Sequence, residues 1–434
     1  MAKKPKRVVL RSYQVGFGDC FLLTFVYGEK DKRHILIDFG TTELPPKKKP
    51  SEHMRKVAEQ IERDCGEQKL TAIVATHRHA DHISGFGVDG KTGESGKIIR
   101  RLRPKLVIQP WTEDPRAAKN ARRATTDSAR SEKSFISGLD AMHRVSEAVL
   151  ALAQRPPSWM GPQLAKDLRF LGMDNIKNRS AVENLIKMGR APGSKAKWVR
   201  YGSDAGLGRL LPGVKVRVLG PPSLEQSEKI RKQRSKDADE FWHLLAGATS
   251  IKALPLAEGL KRRAKRSTAS TPPEARWFRD KLQRLRGQQV LEIVRSLDSQ
   301  MNNTSVILLF EVGSKKLLFP GDAQIENWSY ALEDAPDHKA VRKLLSGVDL
   351  YKVGHHGSLN ATPKKLLWEG FKKKGRQRRL KTALSTLPGK HGKTASNTEV
   401  PRRSLLKALE AETELKSTDD LKASELYFDI ELPV

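Results

Sequence analysis

Residues 76–86 read THRHADHISGF and place His77, His79, Asp81 and His82 within six positions of a 434-residue chain that holds eleven histidines. The cluster follows TAIVAT, a run typical of a buried strand, and precedes ISGFG, a turn into a new segment. A strand end that feeds a loop lets His77 and His79, two residues apart, face one metal ion from a common side. On the following turn, Asp81 and His82 reach a second ion about 3.5–4 Å from the first, the usual separation in two-metal hydrolytic sites. Neutral imidazoles with a carboxylate suit zinc, or manganese or iron as oxygen ligands increase.

Outward from this stretch, the first hundred residues alternate strand-like runs with turns. VVLRSYQVG, CFLLTFVY, HILIDFG and TAIVATH are rich in β-branched and aromatic residues. Between the third and fourth, Met54, Val57 and Ile61 have helical spacing, which predicts β-β-β-α-β, and KLVIQPW at 105–111 reads as a further strand. Residues 112–210 and 223–296 are polar, basic and helical in pattern, separated by the strand VKVRVLGPP. Strand chemistry resumes in TSVILLFEV, KKLLFPGD, VDLYKVGHH, LKTALSTL and ELYFDIEL. Near the end, TEVPRRSLLKALE predicts a helix with Thr398 as N-cap and Pro401 in its first turn. The layout predicts a single domain over 1–434, with a core from 7–110, 212–222 and 300–434 and helical insertions at 112–210 and 223–296.

Lysine and arginine number 81 against 50 aspartates and glutamates, a formal net charge of +31. Such an excess concentrates polyanions and speeds their capture, and nucleic acid is the usual partner. The basic runs include Lys261, Arg262, Arg263, Lys265 and Arg266, and later Lys372, Lys373, Lys374 and Arg376. Trp159, Trp198, Trp242 and Trp277 lie near such charges; stacking on bases and ordinary core packing are both open to them. Two cysteines, Cys20 and Cys65, make no disulfide framework, no apolar run has transmembrane length, and the basic start lacks the apolar stretch of a secretory signal. The expectation is a protein of a reducing, cytoplasmic compartment without a membrane partner.

The HRHADH run resembles the HxHxDH signature of the metallo-β-lactamase superfamily. That resemblance implies an α/β fold, an αββα sandwich of two mixed sheets flanked by helices, here interrupted by basic helical insertions. It also implies two divalent metal ions, zinc or manganese, with His77, His79, Asp81, His82, Asp322 and one of His355 and His356 as ligands. His355 is marginally preferred, and the other histidine is left to touch substrate or leaving group. Asp38 in ILIDFG resembles the family's early aspartate, which braces the metal loop from behind. VGFGD, ILIDFG, HRHADH, NNTSVIL, LLFPGDA and LYKVGHHGS stand in the order found in the hydrolase domain of ComEC-type DNA-uptake proteins and their soluble relatives. Many members supply a third histidine to the first metal; Asn302, Asn303, Thr304 and Ser305 stand in its place. Asn303 is the expected amide ligand, with Ser305 and Asp19 supporting the site. Lys352 reads as either a neighbour of the site or a core-edge lysine.

The resemblance and the charge together imply a nuclease or phosphodiesterase, with Asp81, His355 and His356 as catalytic residues. The alternatives are a hydrolase of a small ester, lactone or phosphorylated metabolite, and a basic nucleic-acid-binding protein with a vestigial site. A regulatory protein partner, or the insertions themselves, would be needed to restrain a free nuclease.

Overall fold

The computed structural model describes residues 3–46, 48–89, 93–114, 179–223, 225–227, 302–358, 361–373, 380–389 and 399–434, with Gln154, Pro156 and Pro162. The chain divides into two units. One comprises Met1–Asp114, Asn178–Ser227 and Asn302–Val434; the other, Pro115–Lys177 and Glu228–Met301, falls outside the described residues apart from the three just named.

Strands β1 (Arg7–Tyr13), β2 (Cys20–Gly28) and β3 (Asp31–Phe39) lead into helix α1 (Pro50–Cys65) and strand β4 (Ala72–Val74). Then come α2 (Ala80–Ile83), α3 (Gly93–Arg101), β5 (Leu106–Pro110), α4 (Arg179–Gly189), β6 (Lys195–Val199) and β7 (Val214–Gly220). The last part holds β8 (Ile307–Val312), β9 (Lys315–Phe319), α5 (Ile325–Ser329), α6 (His338–Ser346), β10 (Leu350–Lys352), β11 (Lys381–Leu384), α7 (Arg403–Glu412), β12 (Glu414–Ser417) and β13 (Tyr427–Pro433). One sheet runs β13-β1-β2-β3-β4-β5-β6 and the other β12-β11-β10-β9-β8-β7. Each is mixed: β13 to β3 are antiparallel and β3 to β6 parallel, while β7 to β9 are antiparallel and β9 to β12 parallel.

Strand β2 shows why the sheets face each other. Phe21, Leu23 and Phe25 join the core between the sheets, where Phe21 meets Phe319 and Phe25 meets Phe310. Cys20 and Leu22, alternating with them, pack on the opposite face against Met54, Val57 and Ile61 of α1. Both faces are covered, so apolar residues occupy successive positions rather than every second one. The outer face of the second sheet is covered in the same way, with Trp328, Val341, Leu345 and Leu409 packing on Leu309, Leu318 and Tyr351. The result is the expected α/β sandwich of two mixed sheets flanked by helices.

The insertion boundary at 210 needs correction. Residues 179–210, expected within a helical insertion, belong to this unit and supply α4 and β6, which pairs in parallel with β5. KAKWV was misread because it forms a sheet edge, where lysines are tolerated and protect against unwanted pairing. The last helix begins later than expected, with Arg402 at its N-cap, and Thr398 lies outside the described residues. Among the described residues, no helix is long and apolar enough to cross a membrane.

Candidate metal centre

The parallel strands of both sheets deliver their C-terminal ends to one place, where open α/β sheets bind ligands. Asp38 ends β3 and His77 follows β4; from the second sheet come Asp322 after β9, His355 and His356 after β10, and Ser385 after β11. Every one of these residues except His355 is buried.

The loop after β4 is built first by local geometry. The N–H groups of His82 and Ile83 both donate to the carbonyl of His79 at 3.0 Å, closing the turn of α2 that projects Asp81 and His82. Two other loops press against this backbone: Asp19 N–H donates to the Asp81 carbonyl at 2.8 Å and Gly40 N–H to the Asp19 carbonyl at 3.0 Å. A Cβ at Gly18 would stand 2.8 Å from the Asp81 carbonyl oxygen, and one at Gly40 2.5 Å from the His82 nitrogen. Only glycine permits that approach.

Asp38 organises the loop from behind. Its Oδ1 accepts the Thr76 N–H and its Oδ2 the Thr76 hydroxyl, both at 2.7 Å, and Oδ2 also accepts from His82 Nδ1 at 2.8 Å. With Nδ1 so engaged, His82 turns Nε2 toward the site, the orientation a carboxylate imposes on a metal-binding histidine. His356 is held alike: its Nδ1 donates to the Ser385 carbonyl at 2.9 Å, leaving Nε2 beside Asp81 Oδ2 at 2.9 Å. Asp38, His355 and His356 all have positive φ (56°, 44° and 51°), a left-handed conformation that non-glycine residues seldom adopt. Such strain concentrates at functional sites.

Among the described residues two groups of donors face the site, beside a third, Asp19, Asp38 and His82, that meets at His82 Nδ1. His77 Nε2 and His79 Nδ1 face each other at 3.0 Å, and with Asp81 they offer atoms within 4.8 Å of one another. Asp81, His82, Asp322 and His356 form the second group within the same limit. Asp322 stands between them. Its Oδ1 accepts the His355 N–H at 3.2 Å, while Oδ2 lies 3.0 Å from His82 Nε2 and 4.0 Å from His77 Nε2.

The donor chemistry fits divalent metal. Among the described residues, Asp81 Oδ1 is buried without a hydrogen-bond partner, and His82 Nε2 and Asp322 Oδ2, 3.0 Å apart, have no well-aligned hydrogen bond, a costly state that a shared cation relieves. Burial would raise Asp81 and Asp322, yet His82 leads the neighbours that hold both below the ordinary carboxylate range. Burial would lower His82, and Asp322, Asp81, Asp38 and Asp19 together hold it well above its usual value. His77 moves down, through burial and then the adjacent His82 and His79.

Of the two terminal histidines, the structure brings His356 into the donor group. His355, slightly preferred from sequence, sits at the rim with a side chain 25% exposed, Nε2 3.7 Å from Asp322 Oδ2 and Nδ1 3.0 Å from the Ser358 hydroxyl. Asn303 is buried; its carbonyl accepts from Asn327 Nδ2 at 2.9 Å and its Oδ1 lies 3.4 Å from the same nitrogen. Asn302, also buried, has neither amide atom hydrogen-bonded. Ser305 Oγ accepts the Asp322 N–H at 3.2 Å.

Of the basic run, Lys373 lies over the Trp368 ring at 3.8 Å and against Glu412 at 3.1 Å, and Lys372 is exposed. Lys261, Arg262, Arg263, Lys265, Arg266, Lys374 and Arg376 lie outside the described residues, as do Trp159, Trp242 and Trp277; Trp198 is part of β6. Sequence reasoning missed Thr76, Ser385 and the bidentate Arg78–Glu113 pair, with bonds of 2.6–3.0 Å, which fastens the metal loop to the end of β5. A hydroxyl beside the motif could have marked Thr76. Ser385 holds His356 through its backbone carbonyl, and no side-chain pattern announces that.

Residues 13–114 match the family model of the metallo-beta-lactamase superfamily, a group of generally hydrolytic, metal-binding enzymes. That span contains Asp19, Asp38 and the whole HRHADH loop. No curated protein matches the chain.

Proposed function

We propose that this protein is a metal-dependent hydrolase and, within that class, a nuclease or phosphodiesterase. The carrying observation is the convergence of His77, His79, Asp81, His82, Asp322 and His356 on one buried place, fed by both sheets. His77 and His79 would hold one ion, Asp81, His82 and His356 the other, and Asp322 Oδ2 would lie between. Divalent ions there supply a water of lowered pKa and neutralise charge on the oxygens of the group attacked.

The chain's own residues supply orientation and proton handling. Asp81 Oδ1, buried and without a partner, accepts a hydrogen bond from the attacking water and aims its lone pair. The water would add to phosphorus as the phosphorus–oxygen bond to the leaving group breaks, and the proton it loses would pass to solvent, from which His355 is reprotonated after each turnover. His355 is the one histidine of the pair with access to solvent, and its Nε2 is placed to donate a proton to the departing alkoxide. The fold hosts many hydrolytic chemistries, so substrate class is argued separately. A net charge of +31 favours a polyanion over a small neutral ester, and the ComEC-like motif order points the same way.

The test incubates plasmid, single-stranded DNA and RNA with the protein in manganese or zinc, beside Asp81→Ala. Metal-dependent cleavage lost in the variant supports the proposal. Turnover of a small ester or lactone without nucleic-acid cleavage would replace the substrate class, and no turnover of either would defeat the enzymatic reading.

A further inference from the structure

Among the described residues Lys352 is the single buried lysine or arginine, and neither the donor groups nor the reaction above uses it. It ends β10, two residues before the Gly354–His356 turn, and its side chain is 2% exposed. Its ammonium is ion-paired with Asp19, lies 3.8 Å from Asp322 Oδ1 and donates to the Gly321 carbonyl at 3.3 Å. Asp19 is itself wholly buried, and its two oxygens each lie 3.6 Å from a site histidine, Oδ2 from His82 Nδ1 and Oδ1 from His356 Nδ1. A lone buried ammonium or carboxylate is prohibitively costly, so the pair exists because each partner needs the other.

Charge counting gives the pair a purpose. Asp19, Asp38, Asp81 and Asp322 are four buried carboxylates, and Lys352 is the fixed cation among them. With the imidazoles neutral, as metal ligation requires, the four carboxylates and Lys352 sum to a net charge of −3. Two divalent ions would overbalance that by one positive charge, equal and opposite to the charge of a single phosphodiester or of one hydroxide. Without Lys352 the loaded centre would be neutral before any anion arrived, and the field attracting the anion would be weaker.

We propose that Lys352, held by Asp19 behind Asp322, is a positioning residue that sets the charge of the metal centre, limiting how tightly it holds metal and leaving one positive charge for the substrate. This rests on the metal-centre reading above.

The experiment measures thermal unfolding and competitive metal affinity, with zinc and manganese, for the wild type, Lys352→Met, Asp19→Asn and the double variant. In Lys352→Met the metal-free protein should melt earlier, the rise in Tm on adding metal should grow, and affinity should increase by about tenfold. Asp19→Asn should do the reverse, weakening affinity by about tenfold, and the double variant should return close to wild type. A Lys352→Met protein that loses equal Tm with and without metal would show a packing role and overturn the proposal. If that variant does not fold, Asp19→Asn decides alone: unchanged affinity overturns the proposal. A wild type that binds neither metal refutes the metal centre itself, a distinct result.

Discussion

The loop after β4 and the loop after β10 each bring histidine to the same place, by different physical means. The first packs His77, His79, Asp81 and His82 into six residues and closes on itself, through the α2 turn and the backbone bonds to the His79 carbonyl. The second holds His355 and His356 in left-handed backbone and depends on the neighbouring strand, where the Ser385 carbonyl takes the His356 Nδ1 proton. Ser385 in turn donates its hydroxyl to the Gly18 carbonyl at 2.5 Å, so the glycine loop of the first sheet is tied to the same arrangement. The first loop closes through its own backbone and is then braced by Asp38 and Glu113; the second is held by its surroundings. Mutations should therefore act on a set of ligands in the one case and on a single direction in the other.

The widest separation is expected between Asp81→Ala and His356→Ala. Asp81 belongs to both donor groups, so its loss should lower metal content of both and reduce hydrolysis by more than the 10–100-fold typical of an outer partner, thus beyond about 100-fold. His356→Ala should empty the second group while His77 and His79 keep their ion. Metal analysis of the purified variants checks this, and equal losses would erase the contrast between the loops. His355→Ala serves as the control at the rim: it should retain wild-type metal content and lose rate.

A smaller effect is expected from the support beneath the first loop. Asp38→Asn keeps a side chain of the same shape but loses acceptor capacity toward Thr76 and His82. Metal affinity should fall by about 10–100-fold, read by chelator competition. An unchanged affinity would mean that the α2 turn alone orients His82.

The mildest prediction concerns a buried histidine that serves neither loop. His34 on β3 meets Thr24 Oγ1 at 3.0 Å through Nδ1, has no partner at Nε2, and is pushed down to about 4, by burial and then by Lys32. Its folded value lies below its free value, so the unfolded chain takes up the proton first. The contribution to stability is therefore complete above about pH 6.5 and is lost as pH falls toward 4, amounting to roughly 3 kcal/mol at most. His34→Gln should flatten the decline of Tm over that window. If the slope persists, acid sensitivity arises instead from the other buried histidines held below their usual value, His53 and His77.

Several features were legible in the residues alone. The HRHADH run named a metal site because ligands that close together need little tertiary help to converge. Strands such as β2 and β8 were visible because their apolar runs are short and bounded by turn residues. Strands β6 and β12 were not, since KAKWV and ELKS are edge strands that carry charges a helix would also accept. Asp322 was singled out only through the family resemblance, since a Gly-Asp pair after a strand is also ordinary turn chemistry.

What the sequence by itself determined is the donor inventory: which side chains could hold metal, in what order, on an α/β scaffold with a large positive charge. Tertiary structure alone decided which of two adjacent histidines turns inward. That choice depends on two left-handed backbone angles and on a carbonyl 29 residues further along the chain. It also decided that Lys352, at the end of β10, and Asp19, 333 residues earlier in the loop before β2, would meet beneath the centre. Neither residue type marks such a pairing in advance, because the cost of burying each charge is relieved only by the other, once both sheets have closed.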